Sequence, residues 1–299
     1  MTYSILISSK HLERALEIIA LLALFIALLR PRLGAARYRA LESKFGGIAR
    51  RRWTAVLFAA AFPLAVRLAL LPVFPQPVPR VHDEFSYLLM ADTFAHGRIA
   101  NPTPPEWRHF ETEYVLLRPK YASEYQPAQG LVMAGGEALT GQPWWGVWAS
   151  VGLMCGALCW ALGYLLPLRW ALCGALGAAL QFGILGFWMN SYFGGAVAAT
   201  GGAIAAGALL RMRARLASSA ILCGIGLIIL LASRPLEGIL FTGVAAVWIF
   251  VRYRRSLSKI ILPAALIYCA GSTALAYYNF RVTDNPLEPP YEAGRVAYG

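Results

Sequence analysis

Charged side chains are scarce in this 299-residue sequence: Asp, Glu, Lys and Arg make up 14% of it, against 58% hydrophobic residues. Soluble domains carry about 25% charged and roughly 45–50% apolar residues, so this balance excludes an ordinary soluble fold and implies an integral membrane protein. Acidic residues are the scarcer sign, 15 against 27 Lys and Arg, for a formal net charge of +12. The excess does not imply a nucleic-acid partner, because the arginines sit in short clusters between apolar runs, where the positive-inside bias accounts for them. Cysteine is also sparse. Cys155, Cys159, Cys173, Cys223 and Cys269 all fall inside apolar runs, without the flanking polar ligands of a zinc or redox site, and read as packing residues. No Gly-rich loop joins a strand to a helix, which excludes a dinucleotide or P-loop site, and there is no heptad array or solenoid period.

What the chain has instead is a series of apolar runs. Residues 15–29 are apolar apart from Glu17 and are followed by eight basic residues, Arg30 to Arg52. A cleavable signal peptide carries its positive charge before the apolar core, so this run reads as a short first span, with a basic cytoplasmic loop closing the segment 1–52. Further spans are predicted at 53–74, 144–166, 170–188, 194–210, 216–233, 238–251 and 260–280, eight in all, for an all-α membrane protein. The fourteen-residue run 238–251 is short enough to be re-entrant. Small residues from Gly194 to Gly207 suit close helix packing. Arg67 lies within the second span, where a charge is costly, so it either snorkels to the surface or belongs to a site.

The predicted cytoplasmic connections hold 16 of the 27 Lys and Arg residues, while the long segment 75–143 has eight Asp and Glu against five Lys and Arg. The basic bias therefore places 75–143, the first large loop, and the tail 281–299 on the extracytoplasmic side. Pro72, Pro75, Pro77 and Pro79 hold the chain extended until Arg80. A helix is expected next, with Asp83 as N-cap, an apolar face of Phe85, Leu88 and Leu89 lying along the bilayer surface, and His96-Gly97 as its end. A second short surface helix is expected between Tyr121 and Gly141. Trp144, Trp145 and Trp148 suit an interfacial belt.

Three groups converge on this outer face: His82, Asp83 and Glu84; Arg118, Lys120 and Tyr121; and Arg234 with Glu237. A carboxylate can take a proton from an attacking hydroxyl, while arginine or lysine can neutralise a departing phosphate. With no nucleotide-binding element in the sequence, an activated donor on that side would be carried on a lipid. The plainer readings are that Asp83 caps its helix, that Arg234 and Glu237 pair at a helix junction, and that His109, Glu111 and Glu113 form a solvated face. Glu84 could orient an acceptor, share a divalent cation with Asp83 or His82, or stay solvated; no metal is assigned, since adjacent carboxylates alone do not make a site for a hard cation.

The stretches His82-Asp83-Glu84-Phe85-Ser86-Tyr87-Leu88-Leu89, Tyr121 to Gly130, Trp188-Met189-Asn190-Ser191-Tyr192 and Arg234-Pro235-Leu236-Glu237-Gly238 resemble bacterial members of the GT-C superfamily. These are integral-membrane glycosyltransferases similar to protein O-mannosyltransferases and to the aminoarabinose transferases of lipid A. The resemblance covers most of the chain from residue 53 and implies a seven-helix module over 53–280. It further implies a polyprenyl-phosphate sugar donor, a lipid, glycan or protein acceptor, and transfer with inversion in the bacterial inner membrane. Asp83 would be the base and Glu84 its acidic neighbour, with Arg67, His82, Arg118, Lys120, Tyr121, Arg234 and Glu237 as candidates for binding substrate.

Two departures qualify it. Where many relatives have a lysine followed by a proline pair, this chain has Glu124-Tyr125-Gln126-Pro127, leaving Lys120 or Arg118 as substitutes for the phosphate-binding lysine. Relatives also continue through further spans, so the resemblance implies a truncated product that could lack acceptor-binding parts. The competing readings are a transporter or lipid flippase, with Arg67, Asp83 and Arg234 along its pathway, and an inactive membrane subunit.

Overall fold

The computed structural model describes residues 18, 21, 22, 24–26, 28–30, 43 and 46–298; the predicted span 15–29 and the basic segment after it lie largely outside them. From Ala49 onward the chain forms one compact unit. It is mostly helical, in the order α1 (Arg52–Ala69), α2 (His82–Ala95), a 3-10 turn (Trp107–Phe110), β1 (Val115–Leu116), β2 (Ala122–Ser123), α3 (Pro127–Thr140), α4 (Trp144–Leu162) and α5 (Leu168–Ala178). There follow a π-helical turn (Ala179–Ile184), α6 (Phe187–Asn190), α7 (Gly195–Arg211), α8 (Leu216–Ser233), α9 (Pro235–Tyr253), a 3-10 turn (Arg254–Ser256), α10 (Leu257–Thr283) and α11 (Pro290–Tyr298).

Four segments are long and apolar enough to cross a membrane: Arg52–Ala69, Trp144–Leu162, Leu216–Ser233 and Pro235–Thr283, the last containing α9 and α10. The chain is thus built to be embedded in a membrane. Leu168–Ile184 and Gly195–Arg211 are shorter apolar helices, below that length. The run read as 238–251 extends in the structure to the nineteen residues of α9, started by Pro235 in its first turn, where the missing N–H costs nothing.

The helices pack around cores at two ends. One cluster joins Trp160 and Ala161 of α4, Leu209 of α7, Met212, Ala220 of α8, Ile249 of α9 and Ile260 of α10. The basic groups Arg211–Arg215 and Arg252–Arg255 flank it, and Arg52 reaches the same end, donating to Gly163 O at 2.6 Å and lying over the Tyr164 ring. At the other end Ala91 of α2, Met133 of α3, Trp144 and Val147 of α4, and Tyr192 form a second cluster. Trp144 is fully buried there and donates from Nε1 to Met189 O at 3.0 Å, so it is a core residue and not part of an interfacial belt.

Arg67 does not snorkel. It is 1% exposed, and its guanidinium donates to Asn190 Oδ1 (3.1 Å), Phe74 O (2.7 Å) and Pro75 O (3.0 Å). It thereby holds the proline-rich exit of α1 against the segment that follows the π turn. Asn190 completes the tie by donating to Ile184 O and Gly186 O.

The small-residue run does bring two helices into backbone contact. A Cβ on Gly201 of α7 would lie 2.8 Å from Gly226 O, and one on Gly226 of α8 would lie 2.5 Å from Ala205 N. Those atoms are backbone and cannot swing away. Gly226→Val is therefore expected to cost about 1–3 kcal/mol through forced separation of α7 and α8. Gly202→Ala, which points into open space, should leave thermal unfolding in detergent unchanged.

Candidate active site

Helix α2 begins at His82, after extended Val81, and its first turn holds both carboxylates of the predicted pair. Asp83 is not the N-cap. Its carboxylate is drawn away from the helix amides by the Tyr125 phenol, which donates a short hydrogen bond to Oδ1. Glu84 takes up the backbone: Oε2 accepts from Arg80 N–H at 2.6 Å and Oε1 from Tyr192 N–H at 3.2 Å. At 4% exposure it is not solvated, and it binds the head of α2 to the segment after α6. The buried face of α2 carries Glu84, Ser86, Met90, Ala91 and Thr93, whereas Phe85 is 53% exposed. The expected apolar face is thus not what seats the helix; polar ties to the hairpin and close packing on α3 do so.

A directed chain of hydroxyls fixes the site. Ser86 Oγ donates to Tyr114 O (2.6 Å), which leaves Ser123 Oγ to donate to Ser86 Oγ (2.6 Å), and Ser123 Oγ in turn accepts from Tyr125 N–H (3.1 Å). Each hydroxyl has one hydrogen, so the donor order follows from the two backbone ends. β1 and β2 pair antiparallel with Val115 opposite Ser123, and Tyr114 just before them is held at φ 64°. A bulky residue in that left-handed region costs on the order of 1 kcal/mol and is kept there by its carbonyl, which accepts from both Ser86 and Glu124 N–H.

The result is a carboxylate among three phenols. Tyr125 stacks on Tyr87 at 4.4 Å between centroids and lies 5.8 Å from Tyr114. Burial first, then the Asp83 hydrogen bond and charge, push the Tyr125 phenol far above its ordinary range, keeping it a donor. Burial also raises Tyr87 to about 12, against the opposing pull of Arg234, and the Asp83 charge raises Tyr114. Arg234 therefore belongs to the same electrostatic neighbourhood while pairing with Glu237 at 3.3 Å. Asp83 Oδ2 has no protein partner among the described residues, so the carboxylate is fixed through one oxygen and open at the other.

The remaining predicted residues lie around this centre without joining it. His82 pairs with Glu113 at 3.0 Å, Lys120 with Asp284 at 3.8 Å, and the Arg118 guanidinium lies over the Trp107 ring. Tyr121 makes a two-way backbone bridge with Asn101. No group of three or more His, Cys, Asp or Glu side chains converges among the described residues, and Glu84 and His82 are each committed elsewhere. Sequence reasoning gave no role to Tyr87, Tyr114 or Tyr125. The signal was the spacing of the aromatic residues around the two carboxylate stretches, but their stacking depends on the hairpin that folds 114–125 back on α2.

Two cavities of about 640 Å³ flank α2. The first is almost wholly apolar, lined by residues of α3, α4, α7, α8 and α10, among them Leu131, Leu153, Val197, Ile228 and Tyr278. Tyr278 links it to the carboxylate, since its phenol donates to Tyr125 O at 3.0 Å. The second lies on the Glu84 side and is lined by both Arg67 and Arg80.

Comparison with models of protein families, with curated proteins and with solved structures gives no match to this chain.

Glu124 is 7% exposed, and its carboxylate lies against Gly294 of α11; burial raises its pKa above 4.5. A raised carboxyl favours the native state below pH 4.5, and that contribution is lost as the pH climbs through the native value. Glu124→Gln should therefore raise the melting temperature at pH 7, with the gain over wild type vanishing as the pH falls below 4.5.

Proposed function

We propose that the chain is a membrane glycosyltransferase of the GT-C type that moves a sugar from a polyprenyl-phosphate carrier to an acceptor hydroxyl or amine. The observation that carries this reading is Asp83: an aspartate anchored through Oδ1 by Tyr125, open at Oδ2 and surrounded by phenol rings. Such a carboxylate is oriented for proton abstraction and not for helix capping. The acceptor oxygen or nitrogen attacks the anomeric carbon and its proton passes to Asp83 Oδ2. The bond from that carbon to the phosphate oxygen breaks on the opposite face, so the electron pair leaves with the phosphate and the anomeric centre inverts. Arg234, whose charge already acts on Tyr87, would neutralise the departing phosphate. The Tyr87 and Tyr125 rings offer an apolar face to a pyranose ring, and the apolar cavity behind Tyr278 suits an isoprenoid chain.

In this reading the helices α1, α4, α5 and α7 to α10 give the seven-span module, with the predicted first segment as an eighth. The basic clusters of the first core face the cytoplasm and Asp83 faces the other side. For the transporter reading, Arg67, Asp83 and Arg234 would have to line one path, yet Arg67 is tied to Asn190, Phe74 and Pro75, Asp83 to Tyr125, and Arg234 to Glu237.

The test is transfer from a radiolabelled polyprenyl-phosphate sugar pool to membrane acceptors at matched expression. Asp83→Asn, folded and inserted, is expected to lose at least roughly a hundredfold in rate, the scale of a missing general base. Tyr125→Phe should retain activity at about a tenth, because the carboxylate survives but loses its anchor. Equal transfer by Asp83→Asn and wild type would remove Asp83 from the mechanism.

A further inference from the structure

The second cavity carries an excess of positive charge, offset in part by the Trp144 ring, whose centroid lies 5.1 Å from the Arg67 guanidinium carbon. Its floor is Arg67, buried to 1% exposure with no carboxylate within ion-pairing distance among the described residues. Three of its five N–H groups are used by neutral oxygens, so Nη1 and Nη2 each retain one donor. Arg80 lines the same cavity and likewise forms no ion pair among the described residues. The one carboxylate in the lining, Glu84, already spends both oxygens on the backbone amides of Arg80 and Tyr192. The lining thus sets two guanidinium groups against one carboxylate, an excess of one positive charge that a bound anion would balance.

Apart from Gln76, Asn190 and Ser191 the rest of the lining is apolar, including Val78, Leu185 and Phe187, which are 73%, 78% and 75% exposed. The cavity sits where α1, a membrane-spanning candidate, gives way to the proline-rich connection. A site with a cationic floor, an apolar rim and a position at the end of a span fits an amphiphile with its anionic head inward. We infer that this cavity is a binding site for the phosphodiester headgroup of an anionic phospholipid, held by Arg67 and Arg80 with its chains along Leu185 and Phe187. Asp83, directed to Tyr125, lines neither wall of the site, which is separate from the proposed transfer centre.

Native mass spectrometry of the full chain in detergent, titrated with phosphatidylglycerol or phosphatidylcholine, tests it. Wild type should retain one phosphatidylglycerol in preference to phosphatidylcholine. Arg80→Gln should weaken that retention by about tenfold, the scale of one charge-assisted hydrogen bond, and Arg80→Glu should abolish it. Arg254→Gln, in a basic cluster at the other end, should leave it unchanged. Arg80 is exposed and its side chain holds nothing in place, so these variants should fold, as an unchanged melting temperature would verify; Arg67→Gln would instead loosen the end of α1. Equal retention of the two lipids by wild type, or undiminished phosphatidylglycerol retention by Arg80→Glu, would overturn the site. Displacement of the lipid by millimolar inorganic phosphate would overturn the lipid as occupant in favour of a free anion.

Discussion

A single guanidinium ties together one end of this bundle. Arg67 stands in the last turn of α1 and donates to the two carbonyls that the proline-rich exit leaves without helical partners, and to Asn190 across the gap. Proline cannot supply N–H groups to such an exit, so its carbonyls need donors from elsewhere. Everything beyond follows from that junction: the exit turns over Arg67, Glu84 catches Arg80 and Tyr192, and α2 starts with its carboxylates facing different ways. Replacing Arg67 with a hydrocarbon would remove the donors to Phe74 O, Pro75 O and Asn190 Oδ1 at once.

The helices were legible because apolar runs of this length have few other fates. The runs 144–166, 194–210 and 216–233 correspond to α4, α7 and α8 within a few residues, and the small-residue seam at Gly201 and Gly226 was visible as composition. Membrane span length is a second matter: α5 ends in a π turn, and α7 is seventeen residues long, so composition saw spans where the regular helix is short. The fate of Arg67 was not legible, since its partners lie 7, 8 and 123 positions away, the last beyond any local pattern.

At the candidate site the sequence drew attention to the right two residues for an incomplete reason. Asp83 and Glu84 looked like a cap and its neighbour, and each took the role that local preference would have given the other: Glu84 serves the backbone and Asp83 serves the side-chain cluster. Adjacent residues on a helix differ by about 100° in direction, so two carboxylates in sequence seldom share an environment. Arg118, Lys120 and Tyr121 were grouped with them by position in one segment, but each is engaged elsewhere, with Trp107, Asp284 and Asn101. Tyr114 and Tyr125 flank one hairpin and Tyr278 lies on α10, so the hairpin and α10 bring them together.

The bond from the Tyr278 phenol to the Tyr125 carbonyl, joining residues 153 apart, also sets an order in time. Chains emerge from the ribosome N-terminus first, at about 5–20 residues per second. Asp83, Tyr87 and Tyr125 are therefore made and inserted several seconds before α10 exists to back them. Until α10 packs on α8, the apolar hollow is open along one flank and Tyr125 lacks its support. The carboxylate and its aromatic cage consequently mature as a late event of biogenesis, and a chain arrested after α8 would present the residues of the site without its architecture.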